Sequence, residues 1–431
     1  MTDRTFSMLD VDGDGLTDIP FGVYMAGNTG TYVLRKTSLG TPGTYTSVKI
    51  SDTVAYGMTP IGDRNGDGIE DFAVACHDMF GGVYALTSLG TFPGVYSPMQ
   101  LLAPGTFTPN SIISVGGLVW WSDYRGSINM YDLSTNTLYS RNDSLCGDGI
   151  AVGDFNRDGY IDAACTNYGK RGIQGIFIYY FNGSSFYTYQ VLDNTRPWQG
   201  ITSYDINGDG YWDLIAVGTE VSVWLNTGSS WTEVTVDPAL ARRASSLYPP
   251  FTRVALAGLD CDDDIDIVVS TSCPNSGQPS LVWYENLGDA TTWAKHPIET
   301  SGYSCFISSR PYPYGLRVGF LDENGGIDIV IVRNNSNELW GYFTDTCGIL
   351  GWDTNLVVRE DPSQRELKAI DVLLGDGGVT LKSREPVSAT IYNASGKRVF
   401  TATVVGSVFI PLRRGVYFVC SEERVRKVII R

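Results

Sequence analysis

The amino-acid sequence predicts an all-β protein: a seven-bladed β-propeller over residues 1–362, followed by a small C-terminal β-sandwich domain over residues 363–431. Two observations predict this class. A pattern of short apolar strands and acidic turns recurs about every 40 to 60 residues, which suits propeller blades. The 431 residues also include 49 Gly and no segment with apolar residues at the helical period, so we expect frequent tight turns and almost no helix.

The repeat consists of seven units. Four of them align closely: MLDVDGDGLTDIPFG from Met8, IGDRNGDGIEDFAVA from Ile61, VGDFNRDGYIDAACT from Val152 and SYDINGDGYWDLIAVG from Ser203. Two are shorter, GLDCDDDIDIVVS from Gly258 and FLDENGGIDIVIV from Phe320. The remaining unit, ISVGGLVWWSDYRGSINMYDL from Ile113, keeps the strand pattern without the acids and fills the gap between the second and third full copies.

Each unit predicts four short antiparallel strands. In the fifth unit these are the residues before Asp205, followed by DLIAVG, VSVWLNT and WTEVTV. A four-stranded sheet cannot bury both of its faces alone, whereas seven sheets arranged around an axis bury each face against a neighbour. The alternative, a β-helix or β-solenoid, requires shorter repeats than this spacing provides.

The acidic turns of the four full units share the pattern D-x-[DN]-x-D-G-x-x-D. Ca²⁺ takes six to eight oxygen ligands, and alternate positions of a short loop can turn several oxygens inward. The fourth ligand of each loop would be a backbone carbonyl, from Leu16, Ile69, Tyr160 or Tyr211. The full predicted ligand sets are Asp10, Asp12, Asp14, Leu16 and Asp18; Asp63, Asn65, Asp67, Ile69 and Asp71; Asp154, Asn156, Asp158, Tyr160 and Asp162; and Asp205, Asn207, Asp209, Tyr211 and Asp213.

An EF-hand or dockerin loop begins with the same residue types but ends with an acid at position twelve and enters a helix. Position twelve here is Phe21, Val74, Cys165 or Ala216, and residues typical of strands follow. The pattern therefore predicts four calcium sites of another kind, each between two strands.

The two shorter units predict one or two further cation sites. Their acidic stretches, residues 260–266 and 322–328, lack at least one ligand position of the full loops. Asp260, Asp262, Asp264 and Asp266 still offer four carboxylates, whereas Asp322, Asn324 and Asp328 form a poorer set. The alternative for both is an acidic turn exposed to solvent.

These repeats resemble the FG-GAP or VCBS repeats, which form calcium-loop propellers in integrin α-subunit heads, some fungal lectins and many secreted bacterial proteins. The segment LVWYENLGDATTWAKHPIE from Leu281 adds the late-blade pattern of that family. The resemblance covers residues 1 to about 360. It implies the propeller fold and the calcium loops, and it does not imply one particular function.

Catalysis is not predicted, so we expect the chain not to be an enzyme. The chain has 2 His, His77 and His296, and neither stands near a nucleophile motif. No GxSxG, HExxH or P-loop occurs. Sugar binding remains an alternative, because exposed aromatic side chains stack on sugar rings, although aromatics in strands also pack between blades. The candidates are Trp120, Trp121, Tyr124, Trp198 and Trp212, and at most one of the adjacent Trp120 and Trp121 should be exposed.

Charge separates the two predicted domains. Residues 365–431 carry 12 Lys and Arg against 6 Asp and Glu, whereas the rest of the chain carries the other 19 basic and 41 acidic residues. An acidic propeller argues against a nucleic-acid partner, because binding to phosphates needs a basic surface. Opposite net charges predict electrostatic docking between tail and propeller, within one chain or head-to-tail between copies.

The tail resembles the C-terminal sorting domain of type IX secretion substrates from Bacteroidetes-type bacteria. This resemblance implies export across the outer membrane, and that the tail is often removed afterwards. The residues that carry the resemblance are Ile391, Tyr392, Gly396, Lys397, Val399, Leu412, Gly415, Tyr417, Val419, Lys427, Val428 and Ile430.

Other sequence signals bear on location. No apolar stretch approaches the roughly 18 residues of a membrane span, and residues 1–20 lack the basic start and apolar run of a signal peptide. The 8 Cys include no CxxC pair, so zinc sites are not predicted, and pairings such as Cys261 with Cys273 or Cys305 with Cys347 remain open alternatives to buried thiols.

Together, these features predict a secreted, calcium-stabilised adhesion or scaffold protein, extracellular or at the cell surface. Its expected partners are other copies of itself, surface proteins or glycans, with filaments or a surface layer as the products of head-to-tail assembly. The alternatives are a carbohydrate-binding lectin and a polysaccharide-degrading enzyme.

Overall fold

The structure is a computed structural model of the 431-residue chain. The chain divides into two compact units, Met1–Glu360 and Asp361–Arg431. The structure describes residues 6–23, 30–40, 43–53, 55–76, 81–90, 92, 96–97, 100–104, 109–242, 250–260, 262, 264–299, 312–322, 326–334, 338–344, 353–359, 371–375, 378–393, 398–411, 415–421 and 424–430.

The described strands of the first unit form seven antiparallel sheets, blades one to seven, in chain order. Blade one contains β1 (Ile19–Val23), β2 (Gly30–Ser38) and β3 (Thr44–Ser51); blade two, β4 (Ala55–Gly62), β5 (Asp71–Cys76), β6 (Gly82–Leu86) and β7 (Gln100–Pro104); blade three, β8 (Pro109–Val115), β9 (Leu118–Asp123), β10 (Ser127–Asp132) and β11 (Thr137–Asn142). Blade four contains β12 (Ile150–Gly153), β13 (Asp162–Tyr168), β14 (Gln174–Phe181) and β15 (Phe186–Asp193); blade five, β16 (Trp198–Tyr204), β17 (Asp213–Gly218), β18 (Val221–Asn226) and β19 (Trp231–Asp237). Blade six contains β20 (Thr252–Ala257), β21 (Asp266–Thr271), β22 (Leu281–Asn286) and β23 (Trp293–Glu299); blade seven, β24 (Tyr312–Gly319), β25 (Asp328–Asn334), β26 (Glu338–Phe343) and β27 (Asp353–Arg359).

Consecutive strands pair within every blade, so each blade is a meander of hairpins. In blade one, residues 6–9 take the place of the first strand, and Leu9 forms an isolated bridge with Asp18. Because neighbouring strands are antiparallel, the turns between strands one and two and between strands three and four lie at the same end of a blade. We call this end of the propeller the loop face, since it carries the predicted calcium loops, and we call the other end the opposite face.

Hydrophobic clusters fill the spaces between neighbouring blades, and each of the seven clusters draws its residues from two blades. Trp120 packs in the cluster shared with blade four and Trp121 in the cluster shared with blade two. Phe6, from blade one, packs with Leu321 and Val330 of blade seven, which closes the ring. Complete burial of one such side chain stabilises a fold by about 1.5–3 kcal/mol.

The seven-bladed, all-β prediction is confirmed. The predicted strands of the fifth unit correspond to β16, β17, β18 and β19. Among the residues that the structure describes, the single helical element is a 3-10 turn, Lys170–Gly172. The acid-free third unit forms a four-stranded blade as well, so the acidic loop is not required for a blade to form.

The described strands of the second unit form one five-stranded antiparallel sheet. They are β28 (Asp371–Gly375), β29 (Gly378–Asn393), β30 (Arg398–Pro411), β31 (Gly415–Ser421) and β32 (Arg424–Ile430). The long strand β29 pairs with β28 through residues 378–382, with β31 through residues 389–393, and with β30 in both halves. The sequence predicts a sandwich of two sheets; a second sheet is not present among these described strands.

Candidate metal centre

The predicted calcium loops all connect the first strand of a blade to its second strand. We number them by blade: loops 1, 2, 4 and 5 comprise residues 10–18, 63–71, 154–162 and 205–213, and the short loops 6 and 7 comprise residues 260–266 and 322–328. Six loops therefore stand around the loop face, and blade three has a turn without the acidic pattern.

The last aspartate of every loop is completely buried and joins the loop to the third strand of its blade. In loop 5, the backbone N–H of Ile206 donates to Asp213 Oδ2 at 3.0 Å, and that of Asn226 donates to Asp213 Oδ1 at 2.7 Å. Each oxygen keeps a lone pair, so these hydrogen bonds leave room for a metal ligand role. The same two bonds recur at Asp18, Asp71, Asp162, Asp266 and Asp328.

This recurring bond aligns the short loops with the full loops. The donor to the second oxygen stands seven residues before the last aspartate, and in loop 6 it is Leu259. By this alignment Asp260 corresponds to the third position of a full loop, Asp12 in loop 1, while Gly258 stands at the first position. The short loops therefore lack the first ligand of the pattern, and loop 6 gains a carboxylate, Asp264, where full loops offer a carbonyl. Asn324 of loop 7 lies outside the described residues.

The first aspartate of a full loop folds the loop around itself. Asp10 Oδ1 accepts hydrogen bonds from the N–H groups of Gly13 and Asp14 at 2.8 and 3.1 Å, and Oδ2 accepts one from Gly15 at 2.8 Å. Asp63 makes the same three contacts in loop 2, and the hydrogen bond from Gly68 helps to hold its pKa below the ordinary value. These bonds curl the backbone of the loop around the first carboxylate.

Loop 1 differs from the other full loops at its third position, where Asp12 replaces an asparagine. One oxygen each of Asp10, Asp12 and Asp18 lie within 4.8 Å of one another. Arg35, from β2, contacts this cluster from outside: its Nη2 lies 2.6 Å from Asp12 Oδ2 and 3.2 Å from Asp14 Oδ2. One guanidinium thus offsets part of the negative charge of loop 1.

Three loops contain a buried carboxylate oxygen that no donor among the described residues satisfies. These atoms are the Oδ1 atoms of Asp12, Asp205 and Asp260. The Asp12 side chain is only 6% exposed, so water cannot readily replace the missing partner. A buried carboxylate oxygen without a partner is costly, and a hard cation is the ligand that such oxygens prefer. The residues present therefore fit Ca²⁺.

Burial also raises the pKa values of the last aspartates, and neighbouring loop carboxylates add to the effect. The pKa of Asp18 and that of Asp162 rise to about 7. Those of Asp213, Asp266 and Asp328 rise to about 6. The loops thus concentrate more negative charge than their own hydrogen bonds stabilise, which is the electrostatic condition that a bound divalent cation relieves.

The aromatic side chains considered for sugar stacking do not converge. Trp120, Trp121 and Trp198 are completely buried, because both faces of a blade are covered by its neighbours. Tyr124 and Trp212 are 49% and 38% exposed. Tyr124 belongs to the turn between β9 and β10 on the opposite face, whereas Trp212 belongs to loop 5 on the loop face, so they cannot form one platform.

His296, the histidine that the structure describes, makes two contacts within blade six. His296 stacks on Trp283 with ring centroids 4.3 Å apart, and its Nε2 lies 2.6 Å from Glu285 Oε2. Both contacts hold the outer strand β23 on β22. His77 lies outside the described residues.

A central cavity of about 440 Å³ runs along the first strands of the blades. Its charged lining residues are Asp148, Arg253 and Arg317. Asp148 pairs with Lys170 at 3.1 Å, and each arginine donates to the carbonyl of its preceding residue. Among the described residues of this lining, Asp148 is the single carboxylate.

A disulfide that the sequence reasoning did not consider joins Cys146, before blade four, to Cys165 in β13. Cys273 is also disulfide-bonded. The pairing could not be read from spacing, because a β-meander brings residues 19 positions apart into contact as readily as closer ones. Within the described part of the chain, no helix has the length and apolar character needed to cross a bilayer.

Comparison with known proteins supports the repeat and the fold. Residues 154–216, from the start of loop 4 into β17, match the FG-GAP-like repeat family. No protein of curated function matches the chain.

Among solved structures, a candidate 6-phosphogluconolactonase from Bacteroides uniformis is 14% identical with a TM-score of 0.51, covering 79% of this chain and 96% of that one. Another, from Bacteroides fragilis, is 14% identical with a TM-score of 0.50, covering 79% and 92%. Such low identity shows a shared fold alone. The chain is thus a seven-bladed β-propeller that carries an FG-GAP-like repeat across blades four and five.

Proposed function

We propose that the chain is an exported, calcium-stabilised propeller that acts as an adhesion or assembly scaffold at the cell surface. The observation that carries the calcium part is the buried, unpartnered Oδ1 atom of Asp12, together with its counterpart at Asp260 in loop 6. Loops 1 and 6 thus each place a buried oxygen without a hydrogen-bond donor at the third position of the loop, as a repeated cation site requires.

Loops 1, 2, 4 and 5 would hold Ca²⁺ through their first, third, fifth and last side chains and one backbone carbonyl. Loop 6 would hold it through four carboxylates. Burial is the main cause of the raised pKa of the last aspartates; the ion would favour their ionised form and would fix the connection between the first two strands of a blade. Distributed in this way around the loop face, the ions would stabilise the propeller. Partners would then bind to the surfaces of the blades and not to the ions.

Export is supported by the disulfides at Cys146, Cys165 and Cys273, since disulfides persist in oxidising compartments. The resemblance of the tail to a sorting domain supports the same location. The tail of net charge +6 and the remainder of net charge −22 favour head-to-tail contacts between copies. Contacts of this type that do not close into a ring produce filaments or lattices.

Enzymatic and lectin functions have less support. The candidate lactonases share the fold at 14% identity, and that likeness transfers no substrate. The two exposed candidates, Tyr124 and Trp212, lie on different faces, and the described cavity lining has one carboxylate. A scaffold function needs neither feature.

The calcium part is tested by calorimetric titration of the full chain and by thermal unfolding with Ca²⁺ or with excess chelator. At free Ca²⁺ about 100-fold above Kd, each site stabilises the fold by about 2.7 kcal/mol, so chelation should lower the melting temperature. Asp205→Asn should remove one site, whereas Asp132→Asn, in the blade without an acidic loop, should remove none. Identical unfolding curves with and without chelator would refute structural calcium.

The assembly part is tested by light scattering of the full chain in calcium. We expect species larger than a monomer at low salt, and dissociation at high salt, because the contact is electrostatic. The double variant Arg424→Glu/Arg426→Glu reverses two charges of the tail and should dissociate them. The control variant Lys49→Glu makes the propeller more acidic and should leave the assemblies intact. A salt-independent monomer would contradict assembly.

A further inference from the structure

Arg157 occupies a backbone position that the other full loops reserve for glycine. It is the fourth residue of loop 4, and its φ of 58° falls in the left-handed region. Loops 1, 2 and 5 have Gly13, Gly66 and Gly208 at this position, with φ of 73°, 77° and 71°. A residue with a Cβ is strained in this conformation, whereas glycine is not. Loop 4 therefore keeps an arginine where glycine would fold more easily.

The Arg157 side chain extends from blade four onto the backbone of loop 5. Its Nε donates to the carbonyl of Gly210 at 2.9 Å, and its Nη2 donates to that of Asp209 at 3.1 Å. Its Cζ lies 3.4 Å from the centroid of the Tyr211 ring, so the guanidinium stacks on that ring. These three residues include two of the five predicted ligand positions of loop 5.

A second link joins the two loops deeper in the propeller. The side-chain amide of Asn226 donates to the carbonyl of Phe155 in loop 4 at 2.9 Å, and the Asn226 N–H donates to Asp213 of loop 5. Phe155 in turn donates its N–H to Asp162, the last aspartate of loop 4. The loops thus share a hydrogen-bonded frame, to which Arg157 adds the contact nearest the predicted ligands.

We propose that Arg157 couples the metal sites of loops 4 and 5, so that an ion in either loop raises the affinity of the other. This inference rests on the proposed calcium function of these loops. An ion held by Asn156 and Asp158 fixes the residue between them, and the Arg157 side chain then holds the carbonyls of Asp209 and Gly210 in place. Coupling between two sites is reciprocal, so loop 5 acts on loop 4 by the same factor.

The guanidinium also has an effect of the opposite sign, because a positive charge near a cation site weakens binding. This repulsion is present whether or not loop 4 holds an ion. It therefore changes the affinity of loop 5 for its ion by the same factor in both states of loop 4. A double-mutant cycle therefore separates the coupling from the repulsion. For a solvent-exposed contact we expect coupling near the lower end of the usual range, about five-fold.

The test uses Tb³⁺ as a substitute for Ca²⁺ in the full chain, with emission excited through tryptophan. Trp212 adjoins Asp213 of loop 5 but also packs against Gly153 beside loop 4, so Asp205→Asn, which removes the loop 5 site, identifies the part of the signal that comes from loop 5. Asp158→Asn removes the loop 4 site. We expect this change to weaken Tb³⁺ binding at loop 5 about five-fold in the parent, and to have no such effect combined with Arg157→Gly.

Arg171→Gly is the matched control. Arg171 also has a left-handed φ, of 57°, and its guanidinium donates to the carbonyls of Tyr124 and Ser144, but on the opposite face. The Arg171→Gly variant should leave the coupling between loops 4 and 5 unchanged. Coupling that survives Arg157→Gly, or that is absent from the parent, overturns this inference while calcium binding stands. A parent that binds no Tb³⁺ or Ca²⁺ in these loops overturns the proposed function and the inference together.

Discussion

Removal of the Asn226 side chain tests how blades four and five are joined. The side chain is buried, its amide donates to the carbonyls of Phe155 at 2.9 Å and Trp212 at 3.2 Å, and its Oδ1 accepts the Gly228 N–H at 2.9 Å. Trp212 and Gly228 are exposed, so water can replace their lost partners, but the carbonyl of buried Phe155 would be left unsatisfied.

One unsatisfied buried group costs about 1–3 kcal/mol, and two hydrogen bonds exchanged for water cost about 0.5–1 kcal/mol each. We therefore expect Asn226→Ala to lower the free energy of unfolding by about 2–5 kcal/mol. Asn286 supplies the comparison, because it has the same place in blade six: it donates to the carbonyl of Ile265 at 3.4 Å and accepts the N–H groups of Gly288 and buried Ala290 at 3.2 and 2.9 Å. Asn286→Ala leaves the buried Ala290 N–H unsatisfied, so it should lower the free energy of unfolding by a similar amount, but without disturbing the junction of blades four and five.

The measurement is urea unfolding in saturating calcium, followed by tryptophan fluorescence and by circular dichroism, with coincident curves as the check that one transition is observed. The Tb³⁺ affinity of loop 5 should fall in Asn226→Ala and not in Asn286→Ala. A loss below about 1 kcal/mol in Asn226→Ala, or an unchanged Tb³⁺ affinity of loop 5 in that variant, would refute this account of the junction.

Two further predictions concern pH and the disulfide. Burial alone would raise the pKa of Asp237, but hydrogen bonds from Lys295 and Tyr284 outweigh burial and hold the pKa below its ordinary value. A lowered carboxyl pKa stabilises the fold above about pH 4, and that stability is lost as pH falls further. Asp237→Asn should therefore lower the free energy of unfolding at neutral pH and make it depend less steeply on pH below about pH 4. An unchanged pH dependence of the free energy of unfolding in this range would contradict the prediction. The double variant Cys146→Ser/Cys165→Ser opens a loop with a sequence separation of 19. It should lower the free energy of unfolding, measured with a chemical denaturant, by about 3 kcal/mol. Equal stability with and without the disulfide would show that the bond does not constrain the unfolded chain.

Repetition explains why the propeller could be predicted from the sequence. A single D-x-N-x-D-G loop is compatible with several folds, but four copies at blade spacing, each followed by β-type residues, leave few architectures that bury every sheet. The burial of both Trp120 and Trp121 follows from the same architecture. The prediction that at most one would be exposed holds, although sequence alone did not show that neither is.

Other features depend on contacts that the spacing of residues within a loop does not show. Local spacing suggested that Asp260 begins the loop 6 pattern, but the hydrogen bond from Leu259 to Asp266 shows that it stands at the third position. The Arg35 contacts with loop 1 and the reach of Arg157 into loop 5 join residues 23 and 53 positions apart. Sequence patterns within one loop carry no signal for such partners, apart from the arginine that breaks the glycine pattern of loop 4.

The junction between blades one and seven determines the order in which the ring can assemble. The buried Lys36 ammonium donates to the carbonyl of Leu321, a contact between residues 285 positions apart. Closing a loop of that length costs about 4 kcal/mol more chain entropy than closing a five-residue hairpin. Each blade forms from contiguous residues, so blades and their nearest-neighbour interfaces can form early, and the Phe6 cluster forms last. We therefore expect the meeting of the two end blades to be the slow step of folding, and unfolding to begin where they part.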